Sequence, residues 1–288
     1  MIWPAEDLWL ALVAQQPGLT VEVLPEIDST NTELMRRARA GQTEPTLLVA
    51  ESQTAGRGRL GRPWHGEAGQ ALTFSLGLML KPADWSGLSL AVGLSLARSL
   101  DPQGELGVRL KWPNDLWVKR PPMATSEPTC WGKLAGILIE TALPTGISHS
   151  GDDGPSHGRE QGRYCVVGVG INIAQPVAEG LSTAPLGLQD LQSGITAPQA
   201  LMHVAEPLLA TLLAFERTGF APLQNAFNAR DALYNLKVTL SDGRHGVAKG
   251  VDATGAMRVE TDQGIQVISS AELSVRPVEP IQQTKVDL

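Results

Sequence analysis

The sequence predicts an α+β protein in which a large first domain is followed by a small antiparallel β-barrel. Apolar runs with strand character alternate with helical patterns up to about residue 231. After Asn235 the pattern changes to short strands separated by DG, TG and QG turns. A chain of 288 residues with 42% hydrophobic content can bury a substantial core. We therefore expect a main domain over 1–234, a barrel over 235–280 and a tail over 281–288.

The elements of the main domain begin with "VEVLPEI", which reads as a short strand. The segment "STNTELMRRARAG" follows as a helix, in which Thr30 and Glu33 have capping-box spacing and Gly41 ends the pattern. "TLLVAE" is predicted to be a buried strand. "ALTFSLGLML" alternates leucine and phenylalanine with other residues, which predicts a strand with one buried face.

The second half of the main domain starts with helical spacing in "SGLSLAVGLSLARSL". Two strands, "GVRLKW" and "DLWV", then flank a Pro-Asn-Asp turn, and "KLAGILIE" and "YCVVGVGINI" are apolar strands. Between the latter two, residues 144–162 are rich in Gly, Ser, Pro and acids and are predicted to be a mobile surface insertion. Residues 198–231 predict two helices that are broken near Gly219 and Pro222.

The composition of the chain argues against several classes of function. A formal net charge of −7 argues against a general nucleic-acid binder, which would be basic. Cys130 and Cys165 form no zinc-type spacing, so we expect reduced thiols in a cytoplasmic protein. The N-terminus lacks the basic region of a signal peptide, and no apolar run is long enough to span a membrane. The spacing of four residues in the insertion fits no metal site: His149, Asp152, Asp153 and His157.

"GRGRLGRPW", Gly56–Trp64, is the most unusual stretch, and we call it the arginine–glycine loop. Its first six residues match G-x-G-x-x-G, but no helix can begin in "RPWHGEAGQ", which argues against a dinucleotide fold. A merely solvated basic loop is the alternative, yet such a loop has no need for Trp64. Arginine forks bind phosphate oxygens and an indole can stack on a ring, so the loop predicts a nucleotide-phosphate site.

Three further clusters carry candidate chemistry, each with a plain structural alternative. In "KWPNDLWV", Lys111 can neutralise phosphate and Asp115 can hold Mg²⁺ or pair with a basic group; the alternative is a hairpin turn with a surface ion pair. In "KLAGILIE", a buried Lys133 would be costly without a purpose, unless its strand lies at a sheet edge. In "DSTN", three polar side chains begin a helix, where simple capping is the alternative.

In this order, "DSTN", "ESQTAGRGRLGRPW", "KWPNDLWV", "KLAGILIE" and "GVGINI" resemble the biotin–protein ligases, over about residues 21–280. The resemblance implies a mixed-sheet, biotin/lipoate ligase-like catalytic domain followed by an SH3-like β-barrel. It implies that biotin and ATP, with Mg²⁺, form biotinyl-5′-AMP, which acylates one lysine of a biotin carboxyl carrier protein. Only about 20 residues precede the first strand, which suggests the ligase-only form without DNA binding. No membrane partner is expected, and a homodimer is possible.

The same resemblance assigns site residues by motif. The catalytic residues are expected to be Lys111, Lys133 and Arg59. The expected biotin contacts are Ser29, Thr30, Asn31, Gln53, Arg57, Gly58, Arg59, Lys133 and Gly136. The expected ATP or adenylate contacts are Arg57, Arg59, Arg62, Trp64, Lys111, Asn114, Asp115 and Asn172. Asp115 is the expected metal ligand.

Three rival functions stay open at this point. A lipoate–protein ligase shares the fold and adenylate chemistry, but the complete arginine–glycine loop with "KWPND" favours biotin. A biotin-sensing DNA-binding repressor would need a basic reading helix, which the sequence lacks. A non-catalytic adenylate-binding protein would not need both Lys111 and Lys133.

Overall fold

The structure is a computed structural model of the chain, and it describes residues 1–64, 66–120, 130–143, 162–176, 185–269 and 275–278. The predicted insertion falls almost entirely outside the described residues, together with His149, Asp152, Asp153 and His157. Cys165 is free and fully buried, and burial raises the pKa of its thiol to about 12. Each helix within these ranges is too short or too polar to cross a bilayer.

A seven-stranded mixed sheet forms the centre of the protein, in the order β1-β2-β3-β7-β6-β5-β4. β1 and β2 are parallel, and every other neighbouring pair is antiparallel. The strands are β1 (Thr20–Ile27), β2 (Thr46–Gln53), β3 (Ala71–Leu80), β4 (Val108–Lys111), β5 (Asp115–Arg120), β6 (Cys130–Ala142) and β7 (Arg163–Asn172). The predicted fold class is confirmed.

Helices cover both faces of this sheet. They are α1 (Ala5–Val13), α2 (Thr30–Arg39), α3 (Leu88–Leu100), α4 (Ala197–Thr218) and α5 (Gln224–Arg230). Helices α1, α3 and α4 pack into the main hydrophobic core with Phe74 and Val167 from the sheet. On the opposite face, α2 packs Leu34 and Met35 into a smaller cluster with Val166. The first helix, α1, was not predicted as an element.

Strand β3 is buried on both faces, so the prediction of one buried face is wrong. Phe74 and its alternate neighbours enter the main core, as the sequence pattern requires. The other face carries Thr73 and Ser75, which are 3% and 0% exposed. These small polar side chains are buried because α2 and the arginine–glycine loop cover that face.

The start of α2 also corrects a prediction. Ser29, not Thr30, is the N-cap: its backbone is extended and its Oγ accepts from Thr32 N at 3.4 Å. Thr30 is already helical, and its side chain contacts Gln53 instead. A side-chain oxygen at the cap satisfies one of the free N–H groups of the first turn. Ser29 fills that role and leaves Thr30 available for the site.

A second, five-stranded antiparallel sheet lies at the C-terminal end, in the order β11-β10-β9-β8-β12. Trp112 Nε1 donates to Gly255 O at 3.1 Å, and Asn228 on α5 contacts the backbone of Val251. These bonds join the second sheet to the first. The strands are β8 (Lys237–Leu240), β9 (His245–Val251), β10 (Met257–Thr261), β11 (Gly264–Ile268) and β12 (Val275–Pro277).

Candidate functional site

Small residues form a flat area on the α2 face of the sheet, and we call it the floor. Cross-strand partners lie on the same side of a sheet. One row of partners reads Thr73, Gly170 and Gly136 across β3, β7 and β6, and it continues through Asp115 to Lys111. The register of these five strands therefore places predicted site residues of "KWPNDLWV" and "KLAGILIE" in one row, next to a surface that has almost no side chains.

The next row of the floor reads Ser75, Gly168 and Leu138. Asn31, from the second helical position of α2, lies directly on it: a Cβ at Gly168 would be 2.0 Å from Asn31 Oδ1. Asn31 Nδ2 donates to Leu138 O at 3.2 Å. Only a glycine at position 168 allows this approach.

A buried polar network surrounds Asn31. Ser75 Oγ donates to Asn31 Oδ1 at 2.6 Å or to Thr30 Oγ1 at 2.7 Å, because one hydroxyl has a single proton. Gln53 Oε1 accepts from Thr30 N at 2.8 Å. Ser29, Thr30 and Asn31 are each at most 4% exposed. Polar groups this buried can recognise a small polar ring at the edge of the floor.

The arginine–glycine loop folds back on itself over the floor. Arg57 and Pro63 form a bridge, Gly58 N donates to Arg62 O at 2.7 Å, and Trp64 N donates to Gly56 O at 2.9 Å. A single 3₁₀ turn closes the tip, where Leu60 has a φ of 56°. These backbone bonds make the loop a narrow hairpin that projects from the end of β2.

Trp64 lies on the first row of the floor. A Cβ at Gly170 would be 2.3 Å from the Cε2 of its ring, and one at Gly136 would be 3.3 Å from Cζ3. The Nζ of Lys133 is 5.7 Å from the ring centroid, within cation–π range. Trp64 Nε1 is buried and has no hydrogen-bond partner in the described residues. The indole therefore presents an unused donor beside a lysine.

The lysines and the acid of the predicted site converge on β4–β6. Lys133 Nζ forms an ion pair with Asp115 Oδ1 at 2.7 Å, although the angles are not those of a hydrogen bond. Lys111 is 8% exposed, and its Nζ is 5.7 Å from the Trp117 ring centroid. β6 is interior to the sheet, so the edge-strand alternative for Lys133 is wrong. Two cations and one carboxylate beside an aromatic wall can hold a polyanion or a carboxylate.

Arg59 and Arg62 differ in their surroundings. Burial lowers the pKa of the Arg59 guanidinium, the like charge of Arg62 lowers it further, and the nearby Asp115 carboxylate opposes both. Arg59 thus lies at the tip of the hairpin, partly buried and within electrostatic range of Asp115. Arg62 is exposed, and its charge lies within electrostatic range of Arg59.

The two predicted asparagines bind backbone. Asn114 Nδ2 donates to Ile137 O at 2.8 Å, and Asn172 Nδ2 donates to Lys133 O at 3.1 Å and to Leu186 O at 3.3 Å. Both amide nitrogens hold β6 in place beside the site. The described residues contain no group of three or more His, Cys, Asp or Glu that could hold a metal.

Two functional candidates were missed by the sequence analysis. Ser75 is fully buried between Thr30 and Asn31, and Glu140 on β6 contacts Asn31 and Arg57. A serine inside an apolar alternation and a glutamate at the end of "KLAGILIE" were the available signals. Both became informative only when the register was known. A cavity of about 330 Å³ between α3 and α4, lined by residues such as Arg98 and His203, involves none of these residues.

Comparison with known proteins adds an independent line of observation. Residues 23–151 match the biotin/lipoate A/B protein ligase family, and residues 237–276 match the biotin protein ligase C terminal domain. The bifunctional ligase/repressor BirA of Escherichia coli (strain K12) is 35% identical over 278 residues, which cover 93% of this chain and 78% of that protein. The biotin–[acetyl-CoA-carboxylase] ligase of Paracoccus denitrificans is 30% identical over 87% of this chain and 98% of its own.

Solved structures agree with the sequence relatives. The biotin protein ligase from Aquifex aeolicus in complex with biotin and ATP superimposes with a TM-score of 0.70 at 26% identity. The match covers 90% of this chain and 99% of that chain.

Proposed function

The chain belongs to the biotin protein ligases, and on that premise we propose which residues perform each part of the ligase reaction. It is an ATP-dependent biotin–[acetyl-CoA-carboxylase] ligase, which activates biotin as biotinyl-5′-AMP and transfers it to a lysine of a biotin carboxyl carrier protein. One observation supports this assignment of roles. The arginine–glycine loop places Trp64 against the glycine floor beside Lys133, while Asn31 contacts the floor at its other end.

Biotin is proposed to lie along the floor. Its polar ureido ring matches the buried hydroxyls and amides of Ser29, Thr30, Asn31 and Gln53, and its carboxylate then points toward Lys133. Glycines at 168 and 170 let the ligand approach the backbone closely. The ligand would take part of the surface that Trp64 and Asn31 contact in this structure.

Lys133 is proposed to bind the biotin carboxylate and later the acyl-phosphate oxygen. An ammonium placed to meet developing negative charge stabilises a transition state, and the Lys133 side chain is partly buried, with 32% exposed. Lys111 and Arg59 are proposed to hold the phosphates, with Arg57 and Gly58 in the same loop covering the adenylate. Trp64 would wall off water, which would hydrolyse the mixed anhydride. The proposed set of site residues also includes Gly136, Arg62, Asn114 and Asn172. Gly136 leaves space on the floor, and the amides of Asn114 and Asn172 hold β6 in place.

Mg²⁺ is proposed as the metal, with Asp115 as its protein ligand. Mg²⁺ commonly uses one or two carboxylates and takes its other ligands from substrate phosphates and water. A single carboxylate beside the phosphate-binding lysines fits such a substrate-completed site. The ion would neutralise phosphate charge. A homodimer, the absence of DNA binding and a cytoplasmic location stay predictions.

The test is mass spectrometry of a purified carrier domain after incubation with biotin, ATP and Mg²⁺. One biotin added per carrier is the expected result, whereas lipoate in place of biotin should add nothing. Lys133→Met should lose about 2–4 kcal/mol of transition-state stabilisation, which is roughly 30- to 1000-fold in rate. Lys249→Met is the matched control, because that lysine pairs with Glu260 on the second sheet. Wild-type rates in Lys133→Met would remove this lysine from the mechanism.

A further inference from the structure

Glu140 lies on the site face of β6, one row beyond the floor. Its cross-strand partner is Val166, and the row continues to Gly77 on β3. Its carboxylate is about three-quarters buried at the side-chain level, with 25% exposed. Glu140 is not one of the residues proposed to bind biotin, ATP or Mg²⁺. Its hydrogen bonds, however, join two parts of the site that are distant in sequence.

The first contact reaches the arginine–glycine loop. Arg57 Nη2 lies 3.1 Å from Glu140 Oε1 and 3.0 Å from Oε2, so one guanidinium nitrogen bridges both carboxylate oxygens. Arg57 also forms the base of the hairpin through its bridge with Pro63. Glu140 stands on a strand that is paired with β7 at this position, whereas the arginine stands on a loop. The ion pair therefore ties the loop to the sheet.

The second contact reaches the polar network. Asn31 Nδ2 donates to Glu140 Oε2 at 3.0 Å, while Asn31 Oδ1 faces Ser75 Oγ. A carboxylate accepts only, so together with Leu138 O it fixes which end of the Asn31 amide faces β6. One side chain thus orients both the hairpin base and the amide proposed to meet the biotin ring.

We propose that Glu140 is a positioning residue that latches the arginine–glycine loop closed and thereby retains the adenylate. This inference rests on the proposed function, because the adenylate is the product that the closed loop shelters. Glu140 touches no reacting atom and acts through Arg57. Its loss should open the loop more often without removing any group that binds phosphate.

Glu140→Gln is the decisive variant. Its amide oxygen can still accept from Asn31, but its neutral head no longer attracts Arg57. A partly exposed ion pair of this kind changes an equilibrium by about two- to fivefold. We therefore expect labelled biotinyl-AMP to leave Glu140→Gln about two to five times faster in a chase with unlabelled biotin. The rate of adenylate formation should change less than the rate of escape.

A second readout needs no activity. Trypsin should cut ligand-free Glu140→Gln after Arg59 about two to five times faster than the wild type, because the loop opens more often. Arg57→Gln removes the other half of the pair, so adding Glu140→Gln to it should cause no further change at Arg59. Glu260→Gln is the control, since it breaks a surface ion pair with Lys249 and should leave both rates unchanged.

The outcomes separate the two proposals. If the wild type forms no adenylate, the proposed function fails, and the proposed role in adenylate retention fails with it. If the wild type is active and Glu140→Gln matches it in both readouts, the latch is overturned. A Glu140→Gln effect of full size in the Arg57→Gln background would also overturn it. If Glu140→Gln does not fold, Arg57→Gln alone must show the faster cut after Arg59 for the latch to stand.

Discussion

Gly170→Ala should expel Trp64 from the floor. A Cβ at position 170 would lie 2.3 Å from Cε2, 2.5 Å from Cζ2 and 2.7 Å from Nε1 of the indole. Carbon atoms in contact are normally about 3.5 Å apart, so the ring would have to move by roughly 1 Å or more. Overpacking of this kind costs about 1–3 kcal/mol.

The matched control is Gly136→Ala, on the neighbouring strand in the same row. Its added methyl would meet Lys133 Nζ and Trp64 Cζ3 at 3.3 Å, which requires shifts of only a few tenths of an ångström. We expect this variant to lose less than about 1 kcal/mol in the free energy of unfolding. The contrast between the two variants isolates the collision from the general effect of adding a methyl group to a strand.

Urea unfolding followed by circular dichroism measures the effect, because it does not depend on indole fluorescence. Gly170→Ala should lower the free energy of unfolding by about 1–3 kcal/mol and should also lower kcat/KM for adenylate formation. In a Trp64→Ala background the penalty should almost vanish, since the three atoms nearest the new Cβ all belong to Trp64. An equal loss of stability in both backgrounds would show that the indole does not rest on Gly170.

Two further predictions concern the junction between the sheets and its neighbourhood. Burial raises the pKa of Asp231 to about 7, and the hydrogen bond from Leu233 N lowers this pKa by a smaller amount. Between about pH 4 and 7 the folded protein therefore keeps a proton on this carboxyl that the unfolded chain releases. The free energy of unfolding consequently falls as the pH rises through this range. Asp231→Asn should remove this loss of stability. The free energies of unfolding measured by urea titration at pH 5 and at pH 8 should then differ by about 2 kcal/mol less in the variant than in the wild type. An unchanged difference would contradict the assignment. Trp112→Phe should cost about 1–2 kcal/mol in urea unfolding because it leaves the buried Gly255 carbonyl without its donor. Trp9→Phe breaks an equally long bond at an exposed ring and should cost less, so equal losses would refute the burial argument.

Much of the fold could be predicted because its strands carry strong local patterns. "YCVVGVGINI" and "KLAGILIE" were identified as strands from apolar content alone, and they are β7 and β6. The mixed order of the sheet came from the resemblance instead, since strand order depends on long-range pairing. The helix α1 was missed because its apolar residues were examined only as a possible signal segment.

The predicted site residues largely converge, but the way they do so could not be predicted. Motif analysis named Lys133 and Asp115, yet their ion pair depends on the β5–β6 register. Asn172 was expected to contact the adenylate, whereas its amide nitrogen holds the carbonyl of Lys133. Ser75 looked like one residue of an apolar run. Its burial follows from α2 lying across β3, which no local pattern in β3 encodes.

The alternation along β7 has a consequence for how this site can change. Gly168 and Gly170 face Asn31 and Trp64 on the floor, while Val167, Val169 and Ile171 face the main core. Because successive residues of a strand face opposite ways, a slip of one residue would place the branched side chains on the floor and the glycines in the core. The packing of the core therefore fixes which residues of β7 face the site. Deletion of a single residue within β7 is therefore expected to disturb the packing of the core and the surface of the floor together.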